Sequence, residues 1–498
     1  MVTAGDAAAA EAAQVGQHDW TGVAALCTGW ALTFSVVTAS ITASNLAGAA
    51  FAPSTHLNTL PLSMLLIGQS VFAFSLPVAF QAMRGRLNVY RSTSVVGIAA
   101  SALAAVACDV RSFAGLCIAS FMLGLPAAAG QSFRFAALSL VPPGAHAQTI
   151  GLVLTGGIAG ALVGPSTAAA AKDLFPSAEF AGVYLYTAGA FTALLGIMCA
   201  PGLVSFPIRT EVETKAKVDA PLAAASLDKS DFTASAAAAA DAAAVVNANA
   251  AVNGGGVAIG GSARSVVAVA FSQPSCCAAT AVAALSYSAM SFLMSPTPLA
   301  MRADGFSFTQ VSHVITVHMV SMYAPSILVG RLVGTLGWRR LALGGAAMYA
   351  MAAGLMYAGA SFAHFAVGQA CLGTAWNLCF VAATAELARC STEAVARVGG
   401  SPEERTRGAQ RIQGINDVAV FACAGAASIM SGAALAAAGW KGMQAVGWGS
   451  AVAMVACIAA ATLLDRGAAN RGEEDRLSTG GSDRSLDGNF SGGCPLDG

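Results

Sequence analysis

Long apolar runs alternate with short polar breaks along most of this chain. An apolar run of about 20 residues can cross the hydrocarbon core of a bilayer as an α-helix. The pattern predicts twelve such helices, called here spans 1 to 12: 22–47, 57–83, 92–108, 113–140, 148–171, 179–206, 266–297, 308–335, 340–360, 362–388, 411–437 and 442–464. The fold class expected is therefore an all-α polytopic membrane protein.

A polar, alanine-rich stretch separates spans 6 and 7 and divides the twelve spans into two sets of six. We expect an N-terminal bundle over 22–206, a flexible linker over 207–264 and a C-terminal bundle over 265–464. Residues 1–21 lack the Lys and Arg of a targeting presequence. Like residues 465–498, they are predicted to form a disordered tail.

The composition agrees with a membrane protein, because 56% of the residues are hydrophobic and only 10% are charged. A soluble globular chain carries about 25% charged residues. The 25 basic and 25 acidic residues balance, so no nucleic-acid partner is expected. The partners expected are the lipid bilayer and a small molecule, with the chain acting as a monomer.

The basic residues are distributed unevenly between the two sides of the predicted bundle. Four lie in loops on one side, Arg111, Lys172, Arg302 and Lys441, and Arg134 lies within span 4. The other basic residues lie on the opposite side. By the positive-inside rule, both termini are expected in the cytoplasm, with the protein in the plasma membrane or an organelle membrane.

Short basic turns follow spans 2 and 8, with glycine at matching points in AMRGRLNVYR and GTLGWRRLAL. Together with the six-plus-six spans and the long middle loop, these turns resemble the major facilitator superfamily. Its loop signature G-x-x-x-D-R-x-G-R-R is partly kept, with Gly85 and Arg86 in the first copy and Gly330, Gly337 and Arg339 in the second. Both copies lack the acidic residue. The segments MSFLMSPTPLAM and GTAWN look like a prokaryotic-type subgroup.

Span 5 contains GALVGPSTAA, which is similar to a superfamily pattern associated with antiporters. Gly157, Gly160 and Gly164 reduce one helix face to backbone, so that a neighbour can approach closely, and Pro165 loosens the helix beyond. Ordinary small-residue packing explains the pattern as well as an antiporter role does. Span 4 has Ser120 where proton-linked members often carry an arginine.

The resemblance implies that spans 1, 4, 7 and 10 line a central cavity. The polar candidates for substrate contact there are Gln131, Arg134, Tyr287, Trp376 and Asn377. A polar side chain within a span avoids lipid, but hydrogen bonds between helices would satisfy these groups equally well.

Arg134 and Asp417 lie at similar depths within spans 4 and 11. At 1.5 Å per residue, each is about 10 Å from the predicted cytoplasmic end of its span. We hypothesise that Asp417 pairs with Arg134, or with a loop arginine (Arg84, Arg86 or Arg91), and that the pair opens as a gate. A permanent structural ion pair is the alternative.

Two further residues are candidates for gating or proton coupling. By pseudo-symmetry, Glu386 near the end of span 10 could pair with Arg331, Arg339 or Arg340. His318 lies in the middle of span 8 and could relay protons, or it could serve only as a hydrogen-bonding group between helices.

The sequence contains no G-x-S-x-G, G-x-x-x-x-G-K-[ST], H-E-x-x-H or C-x-x-C motif, so no enzyme, cofactor or metal site is predicted. We expect a secondary transporter of a small organic solute that works by alternating access, coupled to H⁺, with export by antiport favoured. The alternatives are proton-coupled symport or facilitative uptake of a metabolite, and a non-transporting receptor or scaffold.

Overall fold

The structure, a computed structural model, describes residues 19–83, 85–141, 146–204, 261–399 and 401–480. These residues form helices joined by short turns, with no β-strand among them. The N-terminal half contains α1 (Trp20–Phe51), α2 (Leu60–Ala82), α3 (Arg86–Asp109), α4 (Phe113–Gln131), α5 (Phe133–Ala137), α6 (His146–Ala171) and α7 (Ala181–Cys199).

The C-terminal half contains α8 (Gly261–Phe271), α9 (Pro274–Met294), α10 (Thr297–Ala303), α11 (Phe308–Tyr323), α12 (Ser326–Leu336), α13 (Trp338–Ala358), α14 (Phe362–Val398) and α15 (Pro402–Gly480). A kink at Gly439, where φ is +65°, divides α15 into spans 11 and 12. Most of the predicted linker and tails lies outside the described residues, at 1–18, 205–260 and 481–498. Helix α15 continues to Gly480, beyond the predicted end of span 12 at residue 464.

Eight helical stretches in the described part of the chain are long and apolar enough to cross a membrane. One of them, Arg411–Gly467, contains the kink and accounts for two crossings. Spans 2 and 5 correspond to α2 and α6. Two predicted spans are broken rather than continuous: span 4 divides into α4 and α5 at Ser132, and span 8 divides into α11 and α12 at Pro325. The all-α polytopic fold class is confirmed.

The same pattern of helix pairing occurs in both halves. In the N-terminal half, α1 packs against α6, α2 against α4, and α3 against both α4 and α7. In the C-terminal half, α9 packs against α15, α11 against α14, and α13 against both α14 and α15. Spans at equivalent positions therefore meet in each half, which confirms the predicted pseudo-symmetric pair of six-helix bundles.

The glycines of the two basic turns have a shared backbone requirement. Gly85 precedes α3 with φ +132°, and Gly337 precedes α13 with φ +79°. Residues with a Cβ rarely adopt positive φ values, so glycine suits the sharp return of the chain at both points. The arginines that follow these turns connect helix ends within their own half. Arg91 donates from Nε to the Met198 carbonyl at 2.8 Å, and Arg339 forms an ion pair with Asp465.

The bundle has two faces, named here by the chain segments that lie on them. The tail side is where α1 begins and where α5, α7 and α14 end, and the loop side is the opposite face. On the tail side, the Asp19 backbone N–H donates to the Leu140 carbonyl at 3.2 Å, and the Asp19 carboxylate caps α1 at the Gly22 N–H. On the loop side, Arg111 donates to the Ala50 carbonyl at 3.2 Å.

The glycines of α6 bring its backbone against α1. A Cβ built on Gly164 would lie 2.0 Å from Thr38 Oγ1 and 2.3 Å from the Ser35 carbonyl oxygen. One built on Gly160 would lie 2.6 Å from the Ala31 carbonyl oxygen. The packing role of this glycine face is therefore direct backbone contact between two helices of the N-terminal half. Pro165 lies inside α6, which continues past it.

Candidate functional site

The break in span 8 is held by a side chain from span 10. Pro325 has no N–H, so the helix cannot continue its hydrogen-bond ladder through this point. Asn377 in α14 donates from Nδ2 to the Met322 carbonyl at 2.7 Å and to Ser326 Oγ at 2.5 Å. Asn377 is fully buried. Its amide nitrogen is thus engaged with the backbone at the α11–α12 junction.

Five aromatic rings of the C-terminal half form one cluster, which we call the aromatic platform. It consists of Tyr287, Tyr323, Trp376, Phe380 and Phe421. Trp376 and Phe380 stack with centroids 4.9 Å apart and an interplanar angle of 12°. Tyr287 meets Trp376, Phe380 and Phe421 edge-on at 5.5, 5.7 and 5.5 Å, and Tyr323 lies 6.2 Å from Trp376. Four separate helices, α9, α11, α14 and α15, contribute these rings.

The platform continues into the N-terminal half through α1. Phe34 meets Tyr323 edge-on with ring centroids 5.0 Å apart, and Trp30 lies 5.2 Å from Phe34. Trp30 also lines a narrow cleft with Gly130, Gln131, Arg134 and Val153. Two predicted site residues of span 4, Gln131 and Arg134, therefore lie beside rings that reach the platform.

Polar groups from both halves meet at the edge of the aromatic platform. Arg134 lies within electrostatic reach of both Tyr323 and Asp417. Asp417 accepts hydrogen bonds from Gln413 Nε2 at 2.7 Å and from Asn416 Nδ2 at 3.3 Å. Because Phe421 follows Asp417 by one helical turn, this carboxylate lies next to the platform. The structure thus brings Arg134 and Asp417 to the same region of the interface.

The loop arginines predicted as other partners of Asp417 either make different contacts or lie outside the described residues. Arg84 is outside them. The Arg86 guanidinium lies 5.9 Å from the centroid of the Phe80 ring, and Arg91 donates to the end of α7.

Glu386 and His318 belong to separate contacts away from the platform. Glu386 is buried and forms an ion pair with Arg389 at 2.6 Å. Glu386 thus pairs with Arg389, one helical turn away, and the predicted partner Arg339 forms an ion pair with Asp465 instead. His318 is buried, with Nδ1 3.0 Å from the Gln369 carbonyl oxygen, and Gln369 donates to Thr297 at 2.6 Å.

Hydrogen bonds between small polar side chains join the two halves on the loop side. Ser428 is central to them: its hydroxyl lies 2.9 Å from Ser63 Oγ and 3.1 Å from Ser295 Oγ. Thr59 donates to the Ser428 carbonyl at 3.2 Å, and Asn45 donates to the Ser295 carbonyl at 2.5 Å. These buried contacts hold α1 and α2 against α9 and α15 on the loop side. These contacts are not recognisable in the sequence, because single serines and threonines carry no distinctive spacing.

A second contact between the halves lies at the loop-side ends of α7 and α11. Phe180 meets Phe308 with ring centroids 5.8 Å apart, and the Lys172 ammonium lies over both rings. Partial burial lowers the pKa of Lys172, but its hydrogen bonds to Asp173 and Glu179 outweigh this and raise the pKa above its ordinary value. Lys172 therefore stays charged beside the two rings.

Comparison with known proteins adds relatives and a solved structure of the same fold. No protein-family model matches the chain. The riboflavin transporter RfnT of Brucella anthropi is 28% identical over 402 residues, which cover 80% of this chain and 85% of that protein. An uncharacterized MFS-type transporter, YddS of Bacillus subtilis, is 24% identical over 338 residues, covering 67% of this chain and 69% of that protein.

The crystal structure of the human organic anion transporter MFSD10 superimposes with a TM-score of 0.52 over 89% of this chain and 100% of that one, at 15% identity. The predicted resemblance to the major facilitator superfamily is confirmed, since the chain is similar to transporters of this type over most of its length and shares their fold. A membrane transporter of this type is an integral membrane protein that acts on a small-molecule substrate, and the prediction that the chain is not an enzyme is confirmed.

Proposed function

We propose that this transporter moves a planar heteroaromatic solute of the flavin class, and that the aromatic platform binds the solute's ring system. The aromatic platform is the observation that supports this proposal. Aromatic rings favour offset stacks and edge-on contacts at centroid separations of about 4.5–7 Å, and a flat heteroaromatic ring can extend such an array. The name of the Brucella anthropi relative, a riboflavin transporter, supports the same class of solute.

The polar groups at the edge of the platform match the hydrogen-bonding groups of this solute. The pyrimidine-like ring of a flavin presents two carbonyl acceptors on either side of an N–H donor. Gln131 and Arg134 offer donors from the N-terminal half, and Asp417 offers an acceptor from the C-terminal half. A solute bound in this way would touch both halves, as transport by alternating access requires.

As part of the same proposal, we propose a gate that closes the tail side of the bundle. We place the tail side in the cytoplasm because the basic residues concentrate there, and we assign closure of that side to Arg134 and Asp417. Opening of the loop side would require the hydrogen bonds of Ser428 to break. The alternative, a permanent Arg134–Asp417 pair, predicts that Asp417→Asn changes neither the transport rate nor the side from which the site can be labelled.

Proton coupling and direction are measured together in proteoliposomes. We expect radiolabelled riboflavin to move against its gradient when a pH gradient is imposed, and a protonophore to abolish this accumulation. Export by antiport predicts that riboflavin and H⁺ move in opposite directions, whereas uptake by symport predicts the same direction. Equal flux with and without the pH gradient would contradict coupling.

Trp376 provides the direct test of the platform. Loss of one stacking ring costs about 1–3 kcal/mol, so Trp376→Leu is expected to raise the KM for riboflavin about tenfold or more, and Trp376→Phe to restore most of it. The matched control is Trp448→Leu, because Trp448 lies outside the platform and donates to the Ala350 carbonyl at 3.0 Å. Equal KM values for Trp376→Leu and Trp448→Leu would exclude the platform as the binding site.

A further inference from the structure

Trp30 in α1 carries a buried hydrogen-bond donor that is unpaired within the described part of the chain. The side chain is 4% exposed, and its indole Nε1 finds no acceptor among the described residues. An indole N–H can only donate. Buried donors are usually paired, because it is costly to remove one from water without giving it a partner. An acceptor on a bound solute would remove this cost.

The space next to this N–H is kept open by a glycine. A Cβ built on Gly157 would lie 2.7 Å from Trp30 Nε1, so a side chain at position 157 would cover the donor. Val153 precedes Gly157 by one turn of α6. It lines the narrow cleft beside Trp30, together with Gly130 and Gln131. The unpaired donor therefore lies at the α6 side of this cleft.

The ring of Trp30 also lies close to the aromatic platform. Its centroid is 5.2 Å from that of Phe34, and Phe34 meets Tyr323 of the platform at 5.0 Å. A flat ring that stacks on the platform uses its face for that contact. Its edge, where the carbonyl oxygens of a flavin lie, stays available to donors. Trp30 offers such a donor from the N-terminal half.

Resting on the proposed function, we infer that Trp30 is a solute-binding residue whose indole N–H donates a hydrogen bond to a carbonyl oxygen of the flavin ring. This donor is uncharged, so pairing it with a neutral carbonyl does not require a charged group to lose its water. The N–H becomes paired only when the solute is bound. Its contribution therefore stabilises the solute-bound transporter and not the solute-free protein.

Calorimetric titration of riboflavin into the purified full-length transporter tests this inference. Two changes at position 30 remove the donor: Trp30→Phe, and incorporation of benzothienylalanine, which keeps the fused rings and replaces the N–H by sulfur. We expect each change to raise the Kd for riboflavin about tenfold, because a buried carbonyl of the solute loses its partner. The solute-free benzothienylalanine variant should melt at or above the wild-type temperature, because it loses no hydrogen bond.

The matched control is Trp440→Phe in α15. Trp440 Nε1 is also buried without an acceptor among the described residues, and its ring lies 5.2 Å from Phe365, outside the platform. This variant loses the same kind of donor at a different place, so it should keep the wild-type Kd. An equal rise of the Kd in Trp440→Phe and Trp30→Phe would refute the assignment to Trp30.

The remaining outcomes separate the inference from the proposed function. If the wild type does not bind riboflavin, the proposed function fails, and the inference fails with it. If the wild type binds riboflavin and the benzothienylalanine variant keeps the wild-type Kd, donation by Trp30 is refuted while binding at the platform stands. A raised Kd in Trp30→Phe alone would then reflect the smaller ring and would not rescue the hydrogen bond.

Discussion

Replacement of Gly164 by alanine tests the contact between α1 and α6 most directly. The added methyl group would lie 2.0 Å from Thr38 Oγ1 and 2.3 Å from the Ser35 carbonyl oxygen. Non-bonded heavy atoms prefer separations of about 3.5 Å or more. Thr38 is buried and donates to the Gly160 carbonyl at 3.1 Å, and the Ser35 carbonyl belongs to the α1 backbone. Rotation of a side chain therefore cannot remove both overlaps.

The expected magnitude follows from two opposing terms. Forcing a methyl group into a packed interface typically costs about 1–3 kcal/mol. Alanine in place of glycine within a helix stabilises that helix by about 0.5–1 kcal/mol. We expect Gly164→Ala to lower the free energy of unfolding by about 1–2 kcal/mol, because α6 must move away from α1.

Thermal unfolding of the purified protein in detergent, followed by intrinsic fluorescence, measures this effect. The matched control is Gly196→Ala in α7, where an added Cβ meets no atom within 4 Å among the described residues. That variant should melt at or slightly above the wild-type temperature. If Gly164→Ala melts as high as Gly196→Ala, the close approach of α1 and α6 is refuted.

Two further predictions concern single contacts. Asn377→Ala should lower the melting temperature, since the Met322 carbonyl loses its donor at a cost of about 1–3 kcal/mol. The KM for riboflavin should stay near the wild-type value. A raised KM without loss of stability would instead indicate that Asn377 contacts the substrate. The double variant Ser63→Cys with Ser428→Cys should cross-link under mild oxidation and stop transport until a reductant is added, because the native hydroxyls lie 2.9 Å apart. Each single variant is the control, and undiminished transport by the cross-linked protein would show that these hydrogen bonds need not break.

The sequence by itself determined the architecture. Bilayer crossing depends on the apolar length of each segment, which is a local property, so twelve spans in two bundles could be predicted residue by residue. The turn glycines Gly85 and Gly337 were also visible, because they occupy matching points in two basic turns. The glycine face of α6 was visible because its spacing follows from helix geometry. Depth along a helix is likewise local at 1.5 Å per residue, and it predicted that Arg134 and Asp417 lie at similar depths.

Only the tertiary structure decided which side chains meet. The aromatic platform draws rings from four helices, and its members are far apart in the chain and share no sequence spacing. The rotation of α14 about its axis turns Trp376 towards Tyr287 and Asn377 towards the break at Pro325, although the two residues are adjacent. Glu386 meets Arg389 because a partner one turn away on the same helix is within reach. Hydropathy indicates which segments cross the membrane, whereas the rotation of each helix and its neighbours depend on packing that involves the whole bundle.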